Sequence, residues 1–302
     1  MKRMVLMLIL ASIGFIYAQE EYYDDYNNTH SSDTTADEII TTEPMAVADI
    51  IGTATNDTPD NTPEQDMTAS AEASISEFYK KLNIPIWYRW REFGVSATIP
   101  YFMSRDVPMS DLSASGIGDI SIGFSYGKFL AEQNTYLDFN VTAKLPTGDD
   151  KADAGDGVTV SLTTETLDIT GAISAYYFMD DFTYKGNIIY TMNGKYTDDW
   201  DIEHDRGDNF LFVVGADYRW QYNLTFGLNA NYGMHANSEN DGVEGMDKTI
   251  FMDLKPVVKY PINLFEFVAG AKIPLYTDTP DDSYNEGNRN MVFFFRTNYQ
   301  LF

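Results

Sequence analysis

From residue 67 to its end the chain alternates apolar and polar residues with a period of two, and this alternation limits its folds more than any other feature. Leu137, Phe139, Val141, Ala143 and Leu145 interleave with Asp138, Asn140, Thr142 and Lys144. Phe210, Phe212, Val214, Ala216, Tyr218 and Trp220 do the same, as do Leu224, Phe226, Leu228, Ala230 and Tyr232. The pattern recurs over 82–90, 93–102, 117–130, 166–178, 182–193, 249–260, 265–276 and 291–302. A period of two gives each strand one apolar and one polar face. Many of these segments exceed the about five or six residues usual in soluble sheets.

Such strands suit a soluble sandwich with an apolar core, or a membrane barrel whose apolar face meets lipid. The links decide. Short ones (91–92, 131–134, 179–181, 221–223, 261–263) alternate without exception with long polar ones (103–116, 146–165, 194–208, 235–248, 277–290). That is the asymmetry of periplasmic turns and extracellular loops. Aromatic residues at strand ends (Trp87, Tyr88, Trp90, Tyr101, Tyr126, Tyr136, Tyr177, Tyr184, Tyr218, Trp220, Tyr260, Tyr276) are expected to form the interfacial girdles. The expected fold is all-β, a transmembrane antiparallel up-and-down β-barrel occupying 67–302. Eleven strands are legible from Leu82 onward. With both termini periplasmic the number is even, and the weakly patterned Ala69, Ala71, Ala73 and Ile75 supply a twelfth.

Residues 1–18 have the form of a secretory signal. Lys2 and Arg3 precede an apolar stretch, and Ala18 offers a small residue before a cut, although Ile16 departs from the small-x-small pattern. Residues 19–66 form an acidic low-complexity segment with no Lys or Arg, expected to be disordered. The chain carries 20 Lys+Arg against 46 Asp+Glu, a net charge of −26, which argues against nucleic acid as a partner. With no cysteine, zinc ribbons, iron–sulfur clusters, thiol catalysis and lipoprotein anchoring are excluded. The expected location is the outer membrane of a Gram-negative type of cell. Expected partners are its lipid and lipopolysaccharide, the barrel-assembly machinery and small-molecule solutes. No cofactor or metal is expected.

The polar parity carries Arg89, Lys144, Lys185, Arg219, Lys255, Lys259, Lys272 and Arg296, and against them Asp119, Asp138, Asp168, Asp217, Asp253 and Glu266. These are the candidate lumen-lining residues. Opposite signs at this density fit either a polar path that selects solutes or a salt-bridged plug. Calcium is disfavoured. Asn237, Glu239, Asp241 and Gly242 begin a calcium-loop pattern, but its twelfth position is Lys248. The carboxylates at 198, 199, 201, 203, 205 and 208 lack a glycine in register. His204, between Glu203 and Asp205, is the best candidate general base, yet no nucleophile motif accompanies it or His235 and His30. No catalytic residue is assigned.

Two stretches are more specific. Gly116, Gly118 and Asp119 open one strand, whereas Leu145, Pro146, Thr147 and Gly148 close the next and lead to Gly155 and Gly157. With these motifs the chain resembles the outer-membrane β-barrel family labelled for the meta-pathway of phenol degradation, over most of 80–302. The resemblance implies a transporter-like barrel that passes small molecules, aromatic or hydrophobic compounds among them. Physically, the glycines suit a loop-to-strand bend and Pro146 ends a ladder, so barrel-rim architecture is the expected role. The expected function is therefore a passive outer-membrane route, not an enzyme. The alternatives are a structural or adhesion barrel, or a hydrolase with its site at the rim. The acidic segment, with Ile50 and Ile51, is long enough to enter the lumen as a plug.

The final strand ends on Phe302, an expected assembly signal, although Gln300 stands where barrels commonly carry an apolar residue. Deleting Phe302 should lower the amount of barrel inserted without altering the inserted barrel. Quantitative blotting of outer-membrane fractions checks this, and normal insertion would exclude a recognition role.

Overall fold

The computed structural model describes residues 65–75, 79–106, 112–197, 203–205, 207–237, 239–240, 243–244, 248–278 and 291–300. Twelve long strands form the wall. They are β1 (Gln65–Ile75), β2 (Tyr79–Trp90), β3 (Phe93–Asp106), β4 (Ser121–Leu130), β5 (Thr135–Lys144) and β6 (Asp168–Met179). They continue as β7 (Phe182–Met192), β8 (Asn209–Arg219), β9 (Thr225–His235), β10 (Thr249–Ile262), β11 (Phe265–Asp278) and β12 (Val292–Gln300). Each pairs antiparallel with its sequence neighbours, and β12 returns to β1 with Glu72 opposite Arg296. The sheet is closed, so no strand edge is left to satisfy. The expected twelve-strand barrel is what forms, and the weakly patterned first strand is a full eleven residues long.

One face of the wall is apolar and exposed, with Phe124 67%, Val141 57% and Leu228 50% accessible. The other is polar and buried, with Asp138, Ser174, Asn187, Asn229 and Asp253 all turned inward. This inversion of a soluble protein is what lipid outside and polar groups inside require. No helix among the described residues is long and apolar enough to cross a membrane. Trp90, Tyr101, Tyr126, Tyr177, Tyr184, Tyr218, Trp220, Tyr260 and Tyr276 are exposed, as a girdle requires. Trp87 and Tyr136 are not: both are buried on the inward parity. Their position near strand ends was a misleading cue, because each shares its face with a charged neighbour two residues on, Arg89 and Asp138.

The two ends of the barrel differ. Each short turn holds one non-glycine residue in the left-handed region, Arg91, Asn134, Asp180, Asn223 and Asn263, and four of the five are the Asn or Asp that tolerate it best. At the opposite end the loops carry structure of their own. Ala152–Gly155 pairs with Val158–Val160, and Lys195–Thr197, Glu203–Asp205, Glu239–Asn240 and Val243–Glu244 join two successive loops into one small sheet. The expected single strand over 117–130 is broken at 118–120, so that Ser113–Ile117 pairs with the upper part of β3 and β4 with its lower part.

Leu228 lies mid-strand on the exposed face. Leu228→Arg should cost about 2–4 kcal/mol in a refolding titration. Leu228→Val should stay close to wild type. Equal effects would show that the two faces have been assigned the wrong way round.

Candidate functional site

The interior is organised by charge pairs that cross strands. The Asp217 carboxylate on β8 accepts from Lys185 Nζ on β7 at 3.0 Å and from Lys259 Nζ on β10 at 2.9 Å. Lys144 closing β5 meets Asp168 opening β6 at 2.5 Å, and Asp168 also accepts from Thr166 Oγ1 and Gly194 N. Arg296 on β12 lies 3.8 Å from Glu72, and Asn298 donates to Glu266 at 2.8 Å. Arg89 donates to the Tyr136 hydroxyl at 2.5 Å with its guanidinium 4.6 Å above the Trp87 ring, and its charge acts on the buried Asp138. Lys255 sits 4.6 Å over the Phe294 ring. Asp253 stands opposite Asn231, Arg219 opposite Thr225 at the short-turn end, and Lys272 opposite Val292. Thus the lumen candidates do not converge on one point. They are spread around the wall in small groups.

Sequence reasoning missed a second feature of this interior. Large inward side chains face glycines on the next strand. A β-carbon built on Gly233 would overlap the Phe251 ring, on Gly270 the Phe294 ring, and on Gly127 the Tyr136 hydroxyl. A β-carbon on Gly94 would overlap Ser125 Oγ and lie 3.1 Å from Trp87 Nε1, Gly215 makes room for Asn229 and Lys185, and Gly227 for Asp217. With no β-carbon opposite, each side chain lies along the wall instead of standing across the barrel. The signal was present, since these glycines fall on the polar parity. Recognising it needed the register, which pairs Gly233 with Phe251 and Gly270 with Phe294.

The two sharp sequence motifs meet at the long-loop end. Asp119, in the 118–120 break, accepts five hydrogen bonds: Thr147 N 3.1 Å, Gly148 N 3.0 Å, Thr163 Oγ1 2.5 Å, Thr164 N 2.7 Å and Thr164 Oγ1 2.7 Å. Thr147 Oγ1 accepts from Ile120 N, and Leu145 N donates to Ile120 O. The loop so tied packs Ala152, Ala154 and Leu162 onto Ala114, with Phe102, Leu112, Val158 and Val160 around them. Gly116 and Gly118 have ordinary φ. They are small because Leu162 presses on the first and Phe102 and Pro100 on the second, so close approach and not a bend is their reason. Positive φ is needed instead at Gly155 (97°) and Gly157 (77°), in the hairpin turn.

Among the described residues no group of three or more His, Asp or Glu is placed to hold a metal ion. His204 stacks on Tyr196 at 4.8 Å, and His235 bonds Asn209 and stacks on Phe251 at 5.1 Å. His30, Asp198, Asp199, Asp201, Asp241 and Gly242 lie outside the described residues, as does Phe302.

Burial raises the Asp119 carboxyl, but the Thr163, Thr164 and Gly148 hydrogen bonds outweigh it and hold the group below the ordinary aspartate value. A lowered value means that the latch is fully present above the ordinary value and is lost as pH falls through the depressed one. Asp119→Asn should therefore raise hydrogen exchange over 145–167 at neutral pH with the barrel intact. In the wild type the same release should appear only on strong acidification. Unchanged exchange in the variant would show that Asp119 does not hold the loop.

The fold is similar to that of the COG4313 outer membrane channel from Pseudomonas putida F1, with a TM-score of 0.63 at 11% identity, covering 81% of this chain and 99% of that one. Looser likenesses are the KdgM porin in complex with disordered oligogalacturonate (0.44, 10% identity, 77% and 98% covered) and the beta domain of the Bordetella autotransporter BrkA (0.43, 10%, 78% and 99%). No curated protein matches the sequence. The family described as "Putative MetA-pathway of phenol degradation" matches residues 51–251. That span starts inside the acidic segment and stops within β10, whereas the two motifs alone indicated 80–302. It covers most of the chain and contains the whole Asp119 latch, and the protein belongs to this family.

Proposed function

We propose that this outer-membrane barrel is a passive route for small molecules, with aromatic or hydrophobic compounds in its range and both termini on the periplasmic side. The observation that carries the proposal is the glycine pairing of the interior. A barrel filled only to be stable would let its large inward residues meet across the middle. Here Phe251, Phe294 and Tyr136 are each accommodated against the wall by a missing β-carbon, which favours a clear bore. Polar groups between them are tied across strands, Asp217 to both Lys185 and Lys259, which supports a wetted surface with apolar patches suited to amphipathic solutes. Transport of this kind needs no catalytic residue or cofactor, and a lipid and lipopolysaccharide surround suits the exposed face. Insertion by the barrel-assembly machinery fits the closed sheet.

The refolded protein should conduct steadily in planar bilayers. Gly233→Leu, which removes the space under Phe251, should reduce conductance while the barrel still migrates in its heat-modifiable folded form. Equal conductance in the variant would dismiss the glycine argument. A silent wild-type barrel would favour the structural or adhesion alternative. A parallel form lacking residues 19–66 tests the plug, since Ile50 and Ile51 lie outside the described residues.

A further inference from the structure

The charges of the interior are unevenly shared around the wall. Strands β7 to β12 carry Lys185, Arg219, Lys255, Lys259, Lys272 and Arg296 inward, six bases. The inward acids described on these strands are three, Asp217, Asp253 and Glu266. Across the bore, β1 to β6 set four bases, Lys81, Arg89, Arg105 and Lys144, against three described acids, Glu72, Asp138 and Asp168, a smaller excess. The excess is also arranged. Lys255 and Lys272 fall on facing positions between the Leu254–Ile273 and Val257–Gly270 pairs of the β10–β11 ladder. One residue, Val268, separates Lys259 from Arg296 along the same row of paired strands. The single Asp217 carboxylate serves both Lys185 and Lys259.

Like charges on facing positions of a sheet are unfavourable. A plug assembled for stability would alternate signs, and the opposite wall comes closer to doing so. The apolar groups set among these bases add a second requirement: Phe294 lies under Lys255, and Val257 and Val268 are inward and buried. From this juxtaposition of a cationic ladder on β10 to β12 with Phe294, Val257 and Val268, we infer that the bore is selective for small organic anions with an apolar body, aromatic carboxylates being the fitting class. The carboxylate passes from one base to the next, and the ring slides over the apolar surface between them. A low-dielectric wall around a narrow passage strengthens such a field. This rests on the barrel being an open route, and it names the solute class of that route.

The inference runs against the chain's own net charge of −26. An anion preference therefore has to arise from the interior and not from the acidic loops and amino-terminal segment. Reversal potential measured across the full-length barrel in a KCl gradient should show chloride favoured over potassium. Liposomes carrying the barrel should admit benzoate faster than benzyl alcohol, and benzylamine slowest, three solutes that share a ring and differ in charge. The K255Q/K272Q variant should lose both preferences while still conducting, and Lys128→Gln, an exposed position near a short turn, serves as the control. Conduction with cation preference or none, or selectivity unchanged in K255Q/K272Q, overturns the inference and leaves the open route standing. A silent wild-type barrel overturns both. If K255Q/K272Q does not insert, the wild-type potential and the order of the three solutes still decide.

Discussion

A backbone that crosses lipid has to satisfy every N–H and C=O within the protein, and in this chain that demand falls on strands. The remaining features follow from it. The ladder must close, so β1 and β12 meet, and Glu72 stands opposite Arg296 where they do. Closure fixes which parity faces lipid, because a slip of one residue on any strand would bring Asp138 or Asp253 into hydrocarbon. At mid-membrane depth a charge on the lipid face costs up to about 2–4 kcal/mol for Arg or Lys and less for Asp, against about 0.2–1 kcal/mol for a single cross-strand contact. The inward charges thus specify the register as much as they furnish the bore.

Inside, space and charge are handled by the same device. A glycine on one strand receives the side chain of its neighbour: Gly215 receives Asn229 with Lys185 beside it, Gly227 receives Asp217, Gly270 receives Phe294. Glycine in a strand weakens it through backbone entropy. Its recurrence at positions facing large residues is reasonable when the closed ladder already supplies stability and the interior needs room. The ion pairs lie against the wall for the same reason, and Lys185, Asp217 and Lys259 span three strand interfaces in doing so.

Most of the architecture was legible in the sequence, since period-two alternation and the short-turn, long-loop rhythm are direct consequences of a membrane barrel. Strand number and the closed antiparallel order could be read this way. What could not be read is everything that depends on register. Trp87 and Tyr136 looked like girdle residues from their place near strand ends, yet face parity turns them inward. The glycine partners were visible as residues but not as pairs. Gly116 and Gly118 suggested a bend, whereas Leu162 and Phe102, distant in sequence or hidden by the break at 118–120, are why they must be small. The uneven sharing of bases likewise emerges only when strands are placed around a closed wall.

The motif that identifies the family and the residues suited to selecting a solute occupy different places. Asp119 and the 145–148 stretch tie down one loop at the long-loop mouth, and every partner of Asp119 is a loop backbone or threonine group. The cationic ladder, Lys255, Lys259, Lys272 and Arg296 on β10 to β12, lies wholly beyond the end of the family match at residue 251. The matched span therefore takes in the residues that build the mouth and leaves out the ladder. Two members could keep the latch and differ completely at the positions of Lys255, Lys272 and Arg296. On this division, exchanging the bases of the last three strands should change the solute preference while the fold and the Asp119 latch stay the same.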